Sequence, residues 1–214
     1  MSFVHLHSHT HYSLLDGAAK IREIIQRTAE LNMKAIAITD HGNMFGTLEF
    51  YQQAVKKNIK PIIGVEAYVA PRERTLRKPV EGEATSYHLV LLAKNDAGYR
   101  NLIKLTSYSY LEGMYYKPRI DKELLRKYSD GIIATSACMK GEIPYKLRTG
   151  RKAEAIKAAE EFLDIFGDDF YMEIQDHRIP EEQMVYPQVY DLAKEMNIPV
   201  IATNDNHYLN RGDH

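Results

Sequence analysis

The chain has 214 residues, 44% of them hydrophobic, which is enough to bury a full core and fits one large domain better than two small ones. Its 28 basic and 29 acidic residues leave a formal net charge of −1, so bulk electrostatics do not hold it on a nucleic acid and any such contact must be a local one. One cysteine, Cys138, excludes a disulfide framework within the chain. No stretch reaches the roughly 18 consecutive apolar residues of a spanning helix, and the start of the chain has no signal-peptide pattern, so a reducing cytoplasm and no membrane are expected.

Taken in chain order, short β-branched and apolar runs alternate with longer amphipathic stretches. A strand is predicted at 3–7, a helix at 21–32, a strand at 35–39, a helix at 46–58 and a strand at 61–66. The segment 71–86 carries Arg72, Glu73, Arg74, Arg77, Lys78 and Glu81 without apolar periodicity and reads as a solvated loop. Beyond it follow a strand at 88–93, helices at 96–110 and 122–128, a strand at 131–136 and helices at 141–148 and 151–166. The last elements are a strand at 170–175, a helix at 181–197 and a strand at 199–203. Seven βα units built on a parallel sheet suit a seven-stranded barrel, with an open doubly wound sheet as the alternative, and a barrel gathers its active residues at the C-terminal strand ends. Asn210, Arg211, Gly212, Asp213 and His214 look like a cut end, as of an excised domain.

Nine histidines are present, and four of them, His5, His7, His9 and His11, occupy every second position. An extended backbone would point all four imidazoles to one side, as a metal-binding edge does; surface histidines on a polar strand face are the plainer alternative. Asp16, Asp40 and His41 follow, the latter pair ending the second strand, although Asp40 could equally cap a helix. Glu66 ends an apolar strand and needs a metal or a cationic partner there. Asp205 and His207 repeat the spacing of two after the last strand. His88 opens its strand instead of closing it, and on the residues alone both it and Cys138 read as core more readily than as ligands. The strand-end donors are too many for one four-coordinate ion, so two or three ions are implied, an arrangement suited to in-line attack of water on phosphorus.

The runs His7-Ser8-His9-Thr10, Asp16-Gly17, Thr39-Asp40-His41-Gly42-Asn43, Gly113 to Arg119, Thr135-Ser136-Ala137-Cys138 and Thr203 to Leu209 closely resemble the polymerase-and-histidinol-phosphatase (PHP) domain family. The resemblance spans essentially the whole chain, 1–214 as a single domain, and is strongest to the copy at the N-terminus of bacterial replicative DNA polymerase alpha subunits. It implies a distorted seven-stranded α/β barrel and a centre for up to three ions. The nine ligand positions fall on His7, His9, Asp16, His41, Glu66, His88, Cys138, Asp205 and His207, with Glu66, Asp205 and His207 as the catalytic members. Zinc or manganese is the implied occupant, and 3′–5′ exonuclease action on a DNA primer end the implied activity. The implied partners are the rest of a polymerase alpha subunit and a proofreading subunit. A metal-binding module without turnover and a phosphomonoesterase of histidinol-phosphatase type are the competing readings. Lys117, Arg119, His177 and Arg178 are expected near the substrate phosphates, and Tyr115 and Tyr116 offer faces for a base to stack on or for packing of the loop.

Overall fold

A computed structural model of the chain describes residues 3–210, 212 and 213. Arg211 and His214, on which the reading of a cut end partly rests, lie outside the described residues.

The strands are β1 (Ala35–Ile38), β2 (Lys60–Val69), β3 (Tyr87–Ala93), β4 (Met114–Tyr115), β5 (Lys117–Ile120), β6 (Ile132–Thr135), β7 (Phe170–Ile174) and β8 (Val200–Ala202). The helices are α1 (Ile21–Glu30), α2 (Thr47–Lys56), α3 (Asp96–Leu111), α4 (Lys122–Tyr128), α5 (Glu142–Arg148), α6 (Lys152–Phe166) and α7 (Pro180–Glu195). Every helix expected from the sequence is present. Helix α1 shows why: Ile21, Ile24, Ile25 and Thr28 are its buried residues, one stripe at helical spacing. Asn95 and Asp121 cap α3 and α4 by accepting the backbone N–H groups of Gly98 and Leu124.

The long strand β2 organises the sheet. Its first half pairs with β1 in parallel, its last residues pair with β5 in parallel, and its other edge pairs with β3. From β3 the sheet continues through β6 and β7 to β8. The segment predicted as the first strand forms no ladder. It makes single bridges instead, His5 to Ile36 of β1 on one side and Ser8 to Asn206 beyond β8 on the other, and so joins the two ends of the curled sheet. Side chains supplement the few backbone bonds there: the Ser8 N–H donates to the Thr39 hydroxyl at 2.8 Å, which donates back to the Ser8 carbonyl at 3.1 Å. Counted with this segment, β1, β2, β3, β6, β7 and β8 make a distorted seven-stranded barrel.

Two expectations need correction. Strand β3 runs antiparallel to both β2 and β6, so the sheet is mixed, not uniformly parallel. The hairpin of β4 and β5 is additional; its strands have two and four residues, and Tyr116 turns between them at φ 59°. The larger core lies between the sheet and α3 to α7, around Leu91, Leu102, Leu125, Phe162 and Phe170. A smaller one joins α1 and α2 to β1 through Ile25, Ile38 and Phe50. Residues 71–86 form a loop without regular structure, as expected, but the loop is tied down. Arg74 pairs with Asp121 at 3.0 Å and with Glu112.

Candidate metal centre

Because β3 is antiparallel, its first residues lie at the C-terminal end of β2, with His88 opposite Tyr68 and Val90 opposite Glu66. A histidine that opens this strand therefore sits where a parallel strand would place one at its end. All nine residues implied as ligands converge at this rim. Glu66 is at the middle, buried on β2. Its Oε1 faces His88 Nδ1 at 2.8 Å, His7 Nε2 at 3.2 Å and Cys138 Sγ at 3.7 Å. Its Oε2 faces His41 Nδ1 at 2.6 Å and His9 Nε2 at 3.6 Å. Asp205 Oδ1 lies 3.0 Å from His9 Nε2, 3.2 Å from His7 Nε2 and 3.6 Å from His207 Nδ1. Asp16 completes the group from the outer side, 3.3 Å from His41 Nε2 and 3.7 Å from His207 Nε2.

Local sequence explains the placement. Gly17 follows Asp16 because a Cβ there would stand 1.9 Å from the Thr10 carbonyl oxygen, so only glycine lets this loop close on the N-terminal segment. Asp205 itself adopts φ 47°, a left-handed conformation that short polar side chains tolerate, and the turn it makes sends its carboxylate back toward His7 and His9.

The neighbours of the imidazoles decide which ring nitrogen is free. The His7 Nδ1–H donates to Glu173 Oε1 at 2.7 Å. The Ser13 hydroxyl donates to Asp40 at 2.7 Å and therefore accepts at His9 Nδ1, 2.8 Å away, so His9 carries its proton on Nδ1. The His207 Nδ1–H donates to the Asp205 carbonyl at 2.9 Å. Each of the three rings thus keeps the Nε2 lone pair for the centre. Asp40, which also accepts the Thr10 N–H and hydroxyl, is neither a helix cap nor a donor to the centre but the anchor of Ser13.

Charge is concentrated here. Burial opposes ionisation of every group, yet the carboxylates of Asp205, Glu173 and Glu66 hold His7 well above the usual histidine range. Burial likewise raises Glu66, but His88, His7 and His41 outweigh it and hold the carboxyl well below its ordinary value. Asp205 is pushed down to about 2, the imidazoles of His7 and His9 overcoming its burial. Burial, then Glu66 and Asp205, push the Cys138 thiol up, so a thiolate there requires a cation beside it. His7 Nε2, His9 Nε2, His41 Nδ1, Glu66 Oε2 and Asp205 Oδ1 are all buried and lack an aligned hydrogen bond, although they face one another at 2.6–3.6 Å. Donor atoms left unaligned in this way, in a mixture of imidazole, carboxylate and thiol, fit bound cations.

Other expectations fare differently. Only His7 and His9 of the four alternate histidines enter the centre; His5 Nδ1 pairs with the Asn206 amide at 2.8 Å and His11 packs against Tyr12 with the rings tilted. Arg119 is not a phosphate contact: it is 2% exposed, and its guanidinium donates to the carbonyls of Arg74, Leu76, Thr85 and Gly113. It ties the hairpin to the loop 71–86. His177 is committed on both nitrogens, to Glu182 at 2.7 Å and to the Asn204 carbonyl at 2.7 Å, so it braces a turn and offers no free donor. Arg178 is exposed on that same turn at φ 61°. Tyr115 packs against Arg119, while Tyr116 is 82% exposed. Lys117 alone of these cations borders the centre, in a cavity that also reaches Asp16, His41 and His88.

Sequence reasoning missed Glu173. It is fully buried on β7, and besides His7 it accepts from Gln175 at 2.9 Å and from the hydroxyls of Thr135 and Thr203. The signal was available in Phe170-Tyr171-Met172-Glu173-Ile174, a carboxylate inside an otherwise apolar strand.

A mixed α/β barrel with such a donor cluster at its strand ends is a scaffold able to hold metal ions. The PHP domain family model matches residues 5–177, and the chain belongs to that family. It is 52% identical over 211 residues to the DNA polymerase III subunit alpha of Borreliella burgdorferi, covering 99% of this chain and 18% of that protein. It is 48% identical over 214 residues to the Treponema pallidum protein of the same name, covering 100% and 18%. The chain thus spans about a fifth of the length of these relatives. Among solved structures it is similar to a putative metal-dependent phosphoesterase from Bifidobacterium adolescentis, with a TM-score of 0.61 and 13% identity over 97% of this chain and 88% of that one. Among the described residues, no helix is long and apolar enough to cross a membrane.

Proposed function

We propose that the chain is a metal-dependent phosphodiesterase that removes nucleotides from a DNA 3′ end, as a domain of a bacterial replicative polymerase alpha subunit. The observation that carries the reading is the set of fixed tautomers, which turns Nε2 of His7 and His9 toward Glu66 and Asp205, and Nε2 of His207 toward Asp16. Imidazoles held this way are oriented so that Nε2 can meet a cation at the centre. His7, His9, Asp16, His41, Glu66, His88, Cys138, Asp205 and His207 would hold two or three zinc or manganese ions.

Such ions, when bound, lower the pKa of a coordinated water and neutralise phosphate oxygens. The chain's own residues supply the rest. Glu66 presents one oxygen to each half of the cluster, which fits it to tie the sites together. Asp205 and His207 face the open side, where each is partly exposed, and are the members of the cluster placed to meet an entering substrate. The buried side of the cluster, with Glu173 and Asp40 behind it, keeps the rings from turning when substrate enters. The remainder of the polymerase polypeptide is the proposed partner that delivers the primer end, and a proofreading subunit a further one.

The test is metal content by mass spectrometry together with hydrolysis of a 3′-labelled single strand by the full 214-residue chain and by Asp205→Ala, with zinc or manganese added. Two or three bound ions and a turnover lost in the variant support the reading. Bound metal with no turnover identifies a structural module, and preference for a phosphomonoester over DNA identifies a small-molecule phosphatase.

A further inference from the structure

Beside the donor cluster lies a cavity of about 350 Å³, within the size range of small-ligand sites. One end of it is formed by Asp16, His41 and His88 of the centre itself. Tyr68, Tyr110, Lys117 and Lys140 also line it. Tyr68 lies over His41 with ring centroids 5.9 Å apart and nearly parallel, so the aromatic wall begins directly at the ligands. Gly42 permits that approach: at φ 61°, a Cβ there would meet Pro118 at 2.9 Å and Tyr68 at 3.1 Å.

The two lysines come from different parts of the chain. Lys117 stands on the hairpin that Arg119 ties down, with its ammonium 5.3 Å from the Tyr68 ring centre. Lys140 follows Cys138 by two residues, and its carbonyl accepts the His88 N–H at 3.0 Å, so its backbone is fixed to the strand that carries a member of the centre. Its side chain is exposed. Neither ammonium is ion-paired among the described residues, whereas Lys122 and the buried Lys146 each have carboxylate partners. Two cations without an ion-pair partner and two tyrosine rings line one cavity beside a centre suited to phosphate chemistry, which makes it a site for an anion that carries an aromatic group.

We propose that this cavity is the subsite for one nucleotide unit of the substrate, with Lys117 and Lys140 on its phosphate and Tyr68 and Tyr110 against its nucleoside. The proposal rests on the phosphoesterase reading of the centre and extends it to residues outside the ligand set; nothing in the sequence singled out Lys140. Both lysines are substrate-binding groups, and Arg119 acts on Lys117 only by positioning its hairpin.

The test is calorimetric binding of a deoxynucleoside 5′-monophosphate and of the same deoxynucleoside to the full chain, loaded with manganese and again with chelator. It is paired with the KM for a 3′-labelled oligonucleotide. The nucleotide should bind more tightly than the nucleoside. Lys117→Ala and Lys140→Ala should each weaken the nucleotide by about tenfold, the scale of one charge-assisted hydrogen bond, and leave the nucleoside unchanged. Lys140→Arg should restore most of the loss, and Tyr110→Ala should weaken both ligands. Equal binding of nucleotide and nucleoside, or unchanged nucleotide affinity in both lysine variants, overturns the proposal. Failure of the functional reading looks different: the lysine-dependent binding is present, but no phosphodiester is cleaved. Cleavage with an unchanged KM in both variants overturns the subsite alone.

Discussion

Glu173→Gln isolates the role of the carboxylate behind His7. The substitution keeps the shape of the side chain and an oxygen that can accept the His7 Nδ1–H, so the ring stays oriented, but it removes the negative charge that makes Nε2 a better donor. Loss of such a supporting carboxylate commonly weakens metal binding by about 10- to 100-fold, or about 1.4–2.8 kcal/mol. At a free metal concentration far above the dissociation constant, the stabilisation contributed by the metal falls by the same amount. The metal-free protein should behave differently from Glu173→Ala. Alanine would leave the His7 ring, the Gln175 amide and the hydroxyls of Thr135 and Thr203 without their shared acceptor in a fully buried place. At about 1–3 kcal/mol per stranded group, that variant should lose roughly 4 kcal/mol or more even without metal. Zinc affinity by chelator competition and stability by urea unfolding, with and without metal, read the two effects separately. Zinc affinity within about threefold of wild type in a well-folded Glu173→Gln would show that Glu173 does not support a ligand, and the tautomer argument would fail with it.

Three further outcomes follow from the surrounding structure. Gly17→Ala forces a methyl group against the Thr10 carbonyl and should cost about 2–3 kcal/mol in urea unfolding; a loss below about 0.5 kcal/mol would mean that the loop carrying Asp16 is free to move. Arg119→Met removes the donors that hold four loop carbonyls and should destabilise the chain by about 2–4 kcal/mol, while nucleotide affinity falls less than in Lys117→Ala; the reverse order would restore Arg119 as a phosphate contact. Glu83 is raised by burial, but the Tyr87 hydroxyl and the Lys146 and Arg151 cations outweigh this and hold it below its ordinary value of 4.5. Its contribution to stability is therefore present above that value and lost as the pH falls through the folded-state pKa. Glu83→Gln should flatten the acid limb of the stability curve below pH 4.5, and an unchanged slope there would contradict the assignment.

What the sequence made legible, and what it did not, divides along physical lines. Helices were readable because each needs only its own periodicity, as Ile21, Ile24, Ile25 and Thr28 show. Glu66, Asp205 and His41 were readable because a charged or imidazole group at the end of an apolar run is costly to bury unless a cation or a hydrogen-bond partner meets it there. His88 looked misplaced at the start of a strand because strand direction is a property of pairing, which no local pattern encodes; once β3 is seen to run antiparallel, its first residues are at the rim. The four alternate histidines failed differently. Period two holds only while the backbone stays uniformly extended, and this segment switches between two neighbours, so His5 and His11 turn away. Arg119 and His177 show the converse limit. A cation near a motif suggests a phosphate, but main-chain carbonyls of loops also need donors when they are buried, and in this fold those carbonyls claim both side chains. Lys140 is the complement: it carries no motif, yet with no carboxylate paired to it among the described residues, it keeps its charge available to a substrate. The distinction between a cation that holds the fold and one that meets a ligand thus lies in what its neighbours already satisfy.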